Sequence, residues 1–326
     1  MFSVPLWYLK YLTQILRLKQ KGASNKAVYL VRETFSQFIA DNGLKLSAAL
    51  SYYAFFSLVP LLIIIINLFG FIFGTLAIRG EIYGELKGLM GSKAALQIQE
   101  VIKNASLSSS STFITVIGII VLIIGASGVF SEIQDSLNFI WGIKTKPKHG
   151  LIKFVKNRLM SFSMIGLIGL LLLVGLVVNS LVDILNKNLS AFFPHNIITT
   201  FYAANLLIIF ITITILFTLI FKILPDGKVV LSHCIIGASF TAVLFMIGKF
   251  VIGIYLIRSS IASIYGAAGT VILILLWVYY SAIILYFGAE FTKVYTRSHG
   301  QKIIPKLDSV QVLKEQIGDE EYPENH

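Results

Sequence analysis

Six stretches of this 326-residue chain carry no Asp, Glu, Lys or Arg, and each is long enough to cross a bilayer core: 46–78, 112–131, 159–182, 196–221, 229–248 and 259–289. A crossing helix needs roughly 20 residues. No water-soluble domain of this length can hide so much apolar surface in one core. The composition agrees, with 56% hydrophobic residues, 13% charged residues and a mean hydropathy of +0.82. In hydrocarbon, backbone N–H and C=O groups must be satisfied within a helix or a closed barrel, and these runs lack the alternation of a barrel strand. The expected fold is therefore all-α. It is a polytopic membrane protein with six transmembrane helices over about 46–78, 112–143, 159–183, 196–222, 229–257 and 265–295.

Lys and Arg outside the spans set the orientation. Twenty fall in the N-terminal segment, the loops after spans 2 and 4 and the C-terminal tail, against six in the alternate loops. That asymmetry places both termini in the cytoplasm. The net charge of +11 is read as topology and attraction to anionic lipid, and nucleic acid is not expected as a partner.

Residues 1–43 form a cytoplasmic segment of amphipathic helices lying at the membrane interface. Lys10, Gln14, Arg17 and Lys21 share one helical face, and over 26–40 Val28, Val31, Phe35, Phe38 and Ile39 share another. Asn42-Gly43 supplies a turn into the transmembrane domain, 44–296. Span 1 contains Pro60, which removes a backbone donor, and the pair Gly70 and Gly74, whose spacing lets a neighbouring helix approach closely. Gly166 and Gly169 of span 3 offer a similar small face, which serves contacts within or between protomers equally well. The connection at 75–111 has helical periodicity and is expected to form a small helical segment on the outer surface. The tail at 297–326 is polar, ends in Asp319, Glu320, Glu321 and Glu324, and is expected to be disordered.

Span 2 changes character halfway. An apolar run to Phe130 gives way to Ser131, Glu132, Gln134, Asp135 and Asn138 along one side, with Val129, Phe130, Ile133, Leu137, Ile140 and Trp141 on the other. Ionisable groups inside a span are candidates for a substrate or proton path. Glu290 of span 6 sits at comparable cytoplasmic depth. Tyr52, near the inner end of span 1, and Tyr280, at mid-depth in span 6, complete a candidate vestibule walled by spans 1, 2 and 6. Against this stands a purely structural assignment, in which Glu132 and Glu290 pair with Lys45, Lys144, Lys293 or Arg158. Lys249 is the one ammonium well within a span, and Asp183 is its nearest partner by depth. Lys144, Lys146, Lys148, Lys153, Lys156 and Arg158 form a collar for anionic headgroups.

Three strings carry a family resemblance: LSAALSYYAFFSLVPLLIIII in span 1, GASGVFSEIQDSLNFIWGIK in span 2 and YGAAGTVILILLWVYYSAIILYFGAEFTKVY in span 6. Together they resemble the YihY/BrkB family of bacterial membrane proteins over residues 30–297. The resemblance implies a six-helix, multi-pass protein of the bacterial cytoplasmic membrane. It implies no single activity, since members are described as virulence factors, as transporters and as participants in lipid or lipopolysaccharide export.

Enzyme chemistry is not expected. The family's old label, ribonuclease BN, would require clustered carboxylates or histidines holding metal ions. Here His149, His195, His233, His299 and His326 are scattered, with no HxxxH or HxHxD spacing. No GxxxxGK[ST] loop, GxSxG or CxxC occurs, and the lone Cys234 reads as a small core residue. No catalytic residue, metal or cofactor is assigned. The sequence thus points to a transporter or flippase-like protein for an anionic lipid or amphiphile in envelope biogenesis. The alternative is a non-transporting structural protein, either a homo-oligomer or bound to an envelope-assembly partner.

Overall fold

The computed structural model describes residues 23–57, 79–80, 82–84, 95–96, 99–100, 128–145, 195–258, 267–306 and 309–312. Helix α1 (Ala23–Ala40) turns at Asp41-Asn42 into α2, helical over residues 43–57. Helix α3 covers 128–140 and leads into strand β1 (Ile143–Thr145). Helix α4 (His195–Ile223), strand β2 (Gly227–Lys228), helix α5 (Leu231–Arg258) and helix α6 (Ala267–Ser298) follow, then strands β3 (Ile304–Pro305) and β4 (Ser309–Gln311).

Helices α4, α5 and α6 are long and apolar enough to cross a membrane, over Leu206–Ile223, Leu231–Ile252 and Val271–Ser298. They coincide with expected spans 4 to 6. Of the other expected spans, 159–183, most of 46–78 and the first half of 112–143 lie outside the described residues, as do Pro60, the Gly70/Gly74 and Gly166/Gly169 faces, and Asp183. In the connection at 75–111, the described residues 79–80, 82–84, 95–96 and 99–100 are helical.

Neighbouring helices pack in sequence, α4 on α5, α5 on α6, and α6 on α1. The α5–α6 contact is closest where two near-identical strings meet, GASFT at 237–241 and GAEFT at 288–292. Gly237 faces Thr292, Gly288 faces Thr241, and Phe240 stacks on Phe291 with ring centroids 4.0 Å apart. The pairing is reciprocal, so the helices run antiparallel about a local two-fold. Both glycines are required: a Cβ at either would drive into the facing threonine. Each threonine hydroxyl is satisfied within its own helix, donating to the carbonyl four residues back at 2.7 and 2.8 Å. Small residues that let backbones close up are how helices associate where lipid supplies no hydrophobic drive between them.

The main core joins Leu137, Ile140 and Trp141 of the α3 end to Phe217 and Phe221 of α4, Cys234 and Ala238 of α5, and Ala282, Tyr286 and Ala289 of α6. All six residues assigned to the apolar side of span 2 belong to this cluster or pack against it. Trp141 is fully buried and donates its indole N–H to the Ala289 carbonyl at 3.2 Å. Away from this core the molecule turns its apolar side chains outward: Leu206, Leu207, Ile211 and Ile215 on α4, and Val243, Ile247, Phe250, Val251 and Ile254 on α5 are exposed. A soluble protein does not leave so large a contiguous apolar surface uncovered; a bilayer covers it.

Two expectations are corrected here. On α1, Phe38 does not share the outward stripe with Val28, Val31, Phe35 and Ile39, which are exposed. At 100° per residue Phe38 falls on the border of that stripe, and it turns in with Leu30 and Thr34 to meet Phe287 of α6. Lys249 is exposed on α5, and Asp183, its nearest partner by depth, lies outside the described residues. Finally, the tail does not become structureless at Arg297: α6 runs to Ser298, β3 pairs with β2 (Lys228 opposite Ile304), and β4 pairs with β1 (Lys144 opposite Val310), both antiparallel. Residues 313–326 lie outside the described part.

Candidate functional site

Polar side chains converge at one end of the molecule, where α3 and α4 finish, α5 begins and α6 meets the turn after α1. They sort into three groups. The first is a clasp. The buried Asn138 amide donates to Asp226 Oδ2 at 3.1 Å, and its carbonyl oxygen accepts the Asp226 backbone N–H at 2.8 Å. Gln134 donates to Asp226 Oδ1 at 3.3 Å. A terminal amide has both a donor and an acceptor, so it can close a ring with one residue of a turn. The same turn is held from behind: Lys306 donates to the carbonyls of Ile223 and Pro225 at 3.2 and 2.6 Å, and its N–H bonds to the Asp226 carbonyl at 2.7 Å. Lys222 donates to the Val229 carbonyl across the turn.

The second group is a buried charge cluster. Lys293 Nζ is 2.9 Å from Glu290 Oε2 and 3.0 Å from Asp41 Oδ2, with the three side chains 3%, 0% and 6% exposed. Asn42, with φ of 54°, takes the left-handed conformation that Asn tolerates better than most residues, and it lets α1 end where Asp41 meets Lys293. Single-turn spacing puts Glu290 and Lys293 on one face of α6.

The third group surrounds Glu132. Its carboxylate is half-buried and accepts from Ser136 at 3.2 Å, and it has no cationic partner among the described residues. The buried Tyr286 hydroxyl lies near Ser136 and Glu132, outside hydrogen-bonding geometry. Asp135, one turn from Glu132, is exposed.

The residues expected to share one vestibule are thus divided. Gln134 and Asn138 hold the Asp226 turn, Glu290 is engaged by Lys293, and Tyr52 is exposed on α2. Tyr280 is half-buried with its hydroxyl against Gly248 of α5. Glu132 is half-buried and Asp135 exposed at the end of α3. Of the basic collar, Lys144 is exposed on β1, and Lys146, Lys148, Lys153, Lys156 and Arg158 lie outside the described residues. Sequence reasoning missed Asp41 and Asp226, because each is tied to a partner far along the chain. It also took His233 and His299 as scattered, whereas their rings lie 5.7 Å apart around Tyr295. Among the described residues no group of three or more His, Cys, Asp or Glu could hold a metal ion.

Long apolar helices with outward-facing Leu, Ile, Val and Phe, joined by polar clasps at one end, define an integral membrane protein of the multi-pass helical class. The chain belongs to the Virulence factor BrkB family, whose model matches residues 34–309. It is similar to a UPF0761 membrane protein of Azotobacter vinelandii, 29% identical over 261 residues, which cover 79% of this chain and 61% of that protein. A UPF0761 membrane protein of Pseudomonas aeruginosa is 25% identical over 303 residues, 90% of this chain and 71% of its own. One from Aggregatibacter aphrophilus is 27% identical over 273 residues, 81% and 91% of the two chains. The chain therefore spans about three fifths of the Azotobacter relative. No solved structure matches it.

Proposed function

We propose that this protein moves an anionic lipid or amphiphile across the bacterial cytoplasmic membrane, and that Glu132 is the carboxylate that works. The supporting observation is the contrast between the two acids. Glu290 is fully buried and bonded to Lys293, whereas Glu132 is half-buried with Ser136 as its hydrogen-bond donor. A carboxylate in a span without a fixed cation is expensive to keep for structure alone, and water or a passing polar group offsets that cost. Exposed basic residues at the same end, Lys144, Lys228 and Arg297, would draw an anionic headgroup to the entrance. Both termini face the cytoplasm in this reading.

The test uses the full chain in vesicles containing a fluorescent phosphatidylglycerol, with quencher added outside. The wild-type protein and Glu290→Gln are expected to expose the inner-leaflet probe, while Glu132→Gln inserts normally and slows exposure by an order of magnitude. Full activity of Glu132→Gln would overturn the assignment. So would inert wild-type protein.

A second reading, a non-transporting brace for envelope assembly, draws support from the Asp226 clasp and the Lys293 cluster, which commit most of the polar groups at this end to holding helices together. It predicts wild-type vesicles without flux and a stoichiometric partner retained in mild detergent.

A further inference from the structure

The cluster of Asp41, Glu290 and Lys293 contains an oxygen that the pairing with lysine leaves unused. Glu290 Oε2 accepts from Lys293 Nζ, but Glu290 Oε1, equally buried, has no hydrogen-bond partner among the described residues. An ionised carboxylate needs donors at both oxygens when it is cut off from water. Glu290 and Asp41 lie side by side in the cluster, each with one carboxyl oxygen on the same Lys293 ammonium, at 2.9 and 3.0 Å. Two carboxyls that close repel one another unless a proton lies between them.

We propose that this pocket is a proton-binding site, in which Asp41 and Glu290 share one proton while Lys293 bonds to both. The shared proton forms an O–H···O hydrogen bond between the two carboxyls and supplies the donor that Glu290 Oε1 lacks. It also joins the turn after α1 to the middle of the last turns of α6, so the N-terminal helix is docked through it. Of the other ionisable groups on the surrounding elements, Arg32 of α1 and Lys45 of α2 are exposed, and Glu33 of α1 accepts from Gln37. His233 of α5 meets Tyr295 and His299, and Glu132 and Asp135 of α3 lie toward Tyr286. The inference is independent of Glu132 and of whether the protein transports anything.

The test is infrared spectroscopy of the full chain in lipid nanodiscs at neutral pH, in water and in deuterium oxide. The wild-type protein is expected to show the carbonyl stretch of a protonated carboxyl, shifted by deuteration. Asp41→Asn and Glu290→Gln should each abolish that band yet keep the thermal midpoint of the wild type, because an amide N–H can stand where the proton stood. Absence of the band in the wild type, or its survival unchanged in both variants, would overturn the proposal. Loss in one variant alone would place the proton on a single residue and overturn sharing. A band that appears only after sodium is removed would identify a metal cation in the pocket instead.

Discussion

Lys293 is the residue on which the buried cluster turns, since it is the only cation bridging Asp41 and Glu290 among the described residues. Removing one partner of a buried ionic group costs more than the group is worth intact, about 3–5 kcal/mol, because the charges left behind have no water to turn to. Lys293→Met is therefore expected to lower stability by roughly that amount, read as a fall in thermal midpoint in detergent. Adding Asp41→Asn should recover part of the loss, a coupling that a double-mutant cycle measures. Unchanged stability in Lys293→Met would mean that the cluster is not what fastens α1. The sequence offered two lysines in apolar helices and ranked Lys249 as the intramembrane one, by its distance from the helix ends. Lys249 is exposed and Lys293 is not, because the face a residue presents depends on which helix packs there. Glu290 and Lys293 could be paired from their spacing, but Asp41, 252 positions from Lys293, left no local signal. Glu132 was legible as an acid on the polar side of an amphipathic helix, and its lack of a cationic partner among the described residues was not.

Among the elements, α5 and α6 depend on close approach at two glycines. A larger side chain at Gly288 must displace Thr241, and at Gly237 it must displace Thr292. Overpacking of this kind costs typically 1–3 kcal/mol, and here it also separates the stacked Phe240 and Phe291. Gly288→Val is accordingly expected to destabilise by about 1–3 kcal/mol and to weaken a disulfide cross-link engineered between the facing ends of the two helices. Gly300→Ala makes a poor control because Gly300 has φ of 73°. Gly80→Ala, with nothing near its added carbon, is the better one. The helices α4, α5 and α6 were legible because charge-free runs of this length admit little else in lipid. The apolar side of α3 was legible from its period. The α5–α6 interlock was present in the sequence as GASFT and GAEFT, yet a five-residue likeness acquires meaning only when the two strings are found facing each other. The strands β3 and β4 were hidden for a different reason. A polar tail with scattered Ile and Val reads as solvated, and its order comes from partners in β1 and β2 that lie far back in the chain.

At the scale of the whole molecule, the polar end works as a fastening between parts that lipid alone would leave free to slide. Helices in a bilayer gain little from burying apolar groups against each other, so register must come from directional bonds and close packing. Asp226 is central to this: it joins α3 through Asn138 and Gln134, and through its carbonyl it takes the N–H of Lys306, next to β3. Asp226→Ala removes the acceptor for the buried Asn138 amide, and an unsatisfied buried donor costs about 1–3 kcal/mol. The outcome expected is local: the tail from Ile303 onward loosens from the β2 turn while α4, α5 and α6 keep their packing. In detergent micelles, trypsin should then cut after Lys302 and Lys306 faster than in the wild type, with the transmembrane fragments unchanged on a gel. Asp226→Asn, which keeps one acceptor oxygen, should fall between the two. If trypsin leaves the tail of Asp226→Ala as protected as before, the fastening lies in the strand pairs alone. If instead the whole chain becomes sensitive, the clasp supports the bundle itself and not merely its polar end.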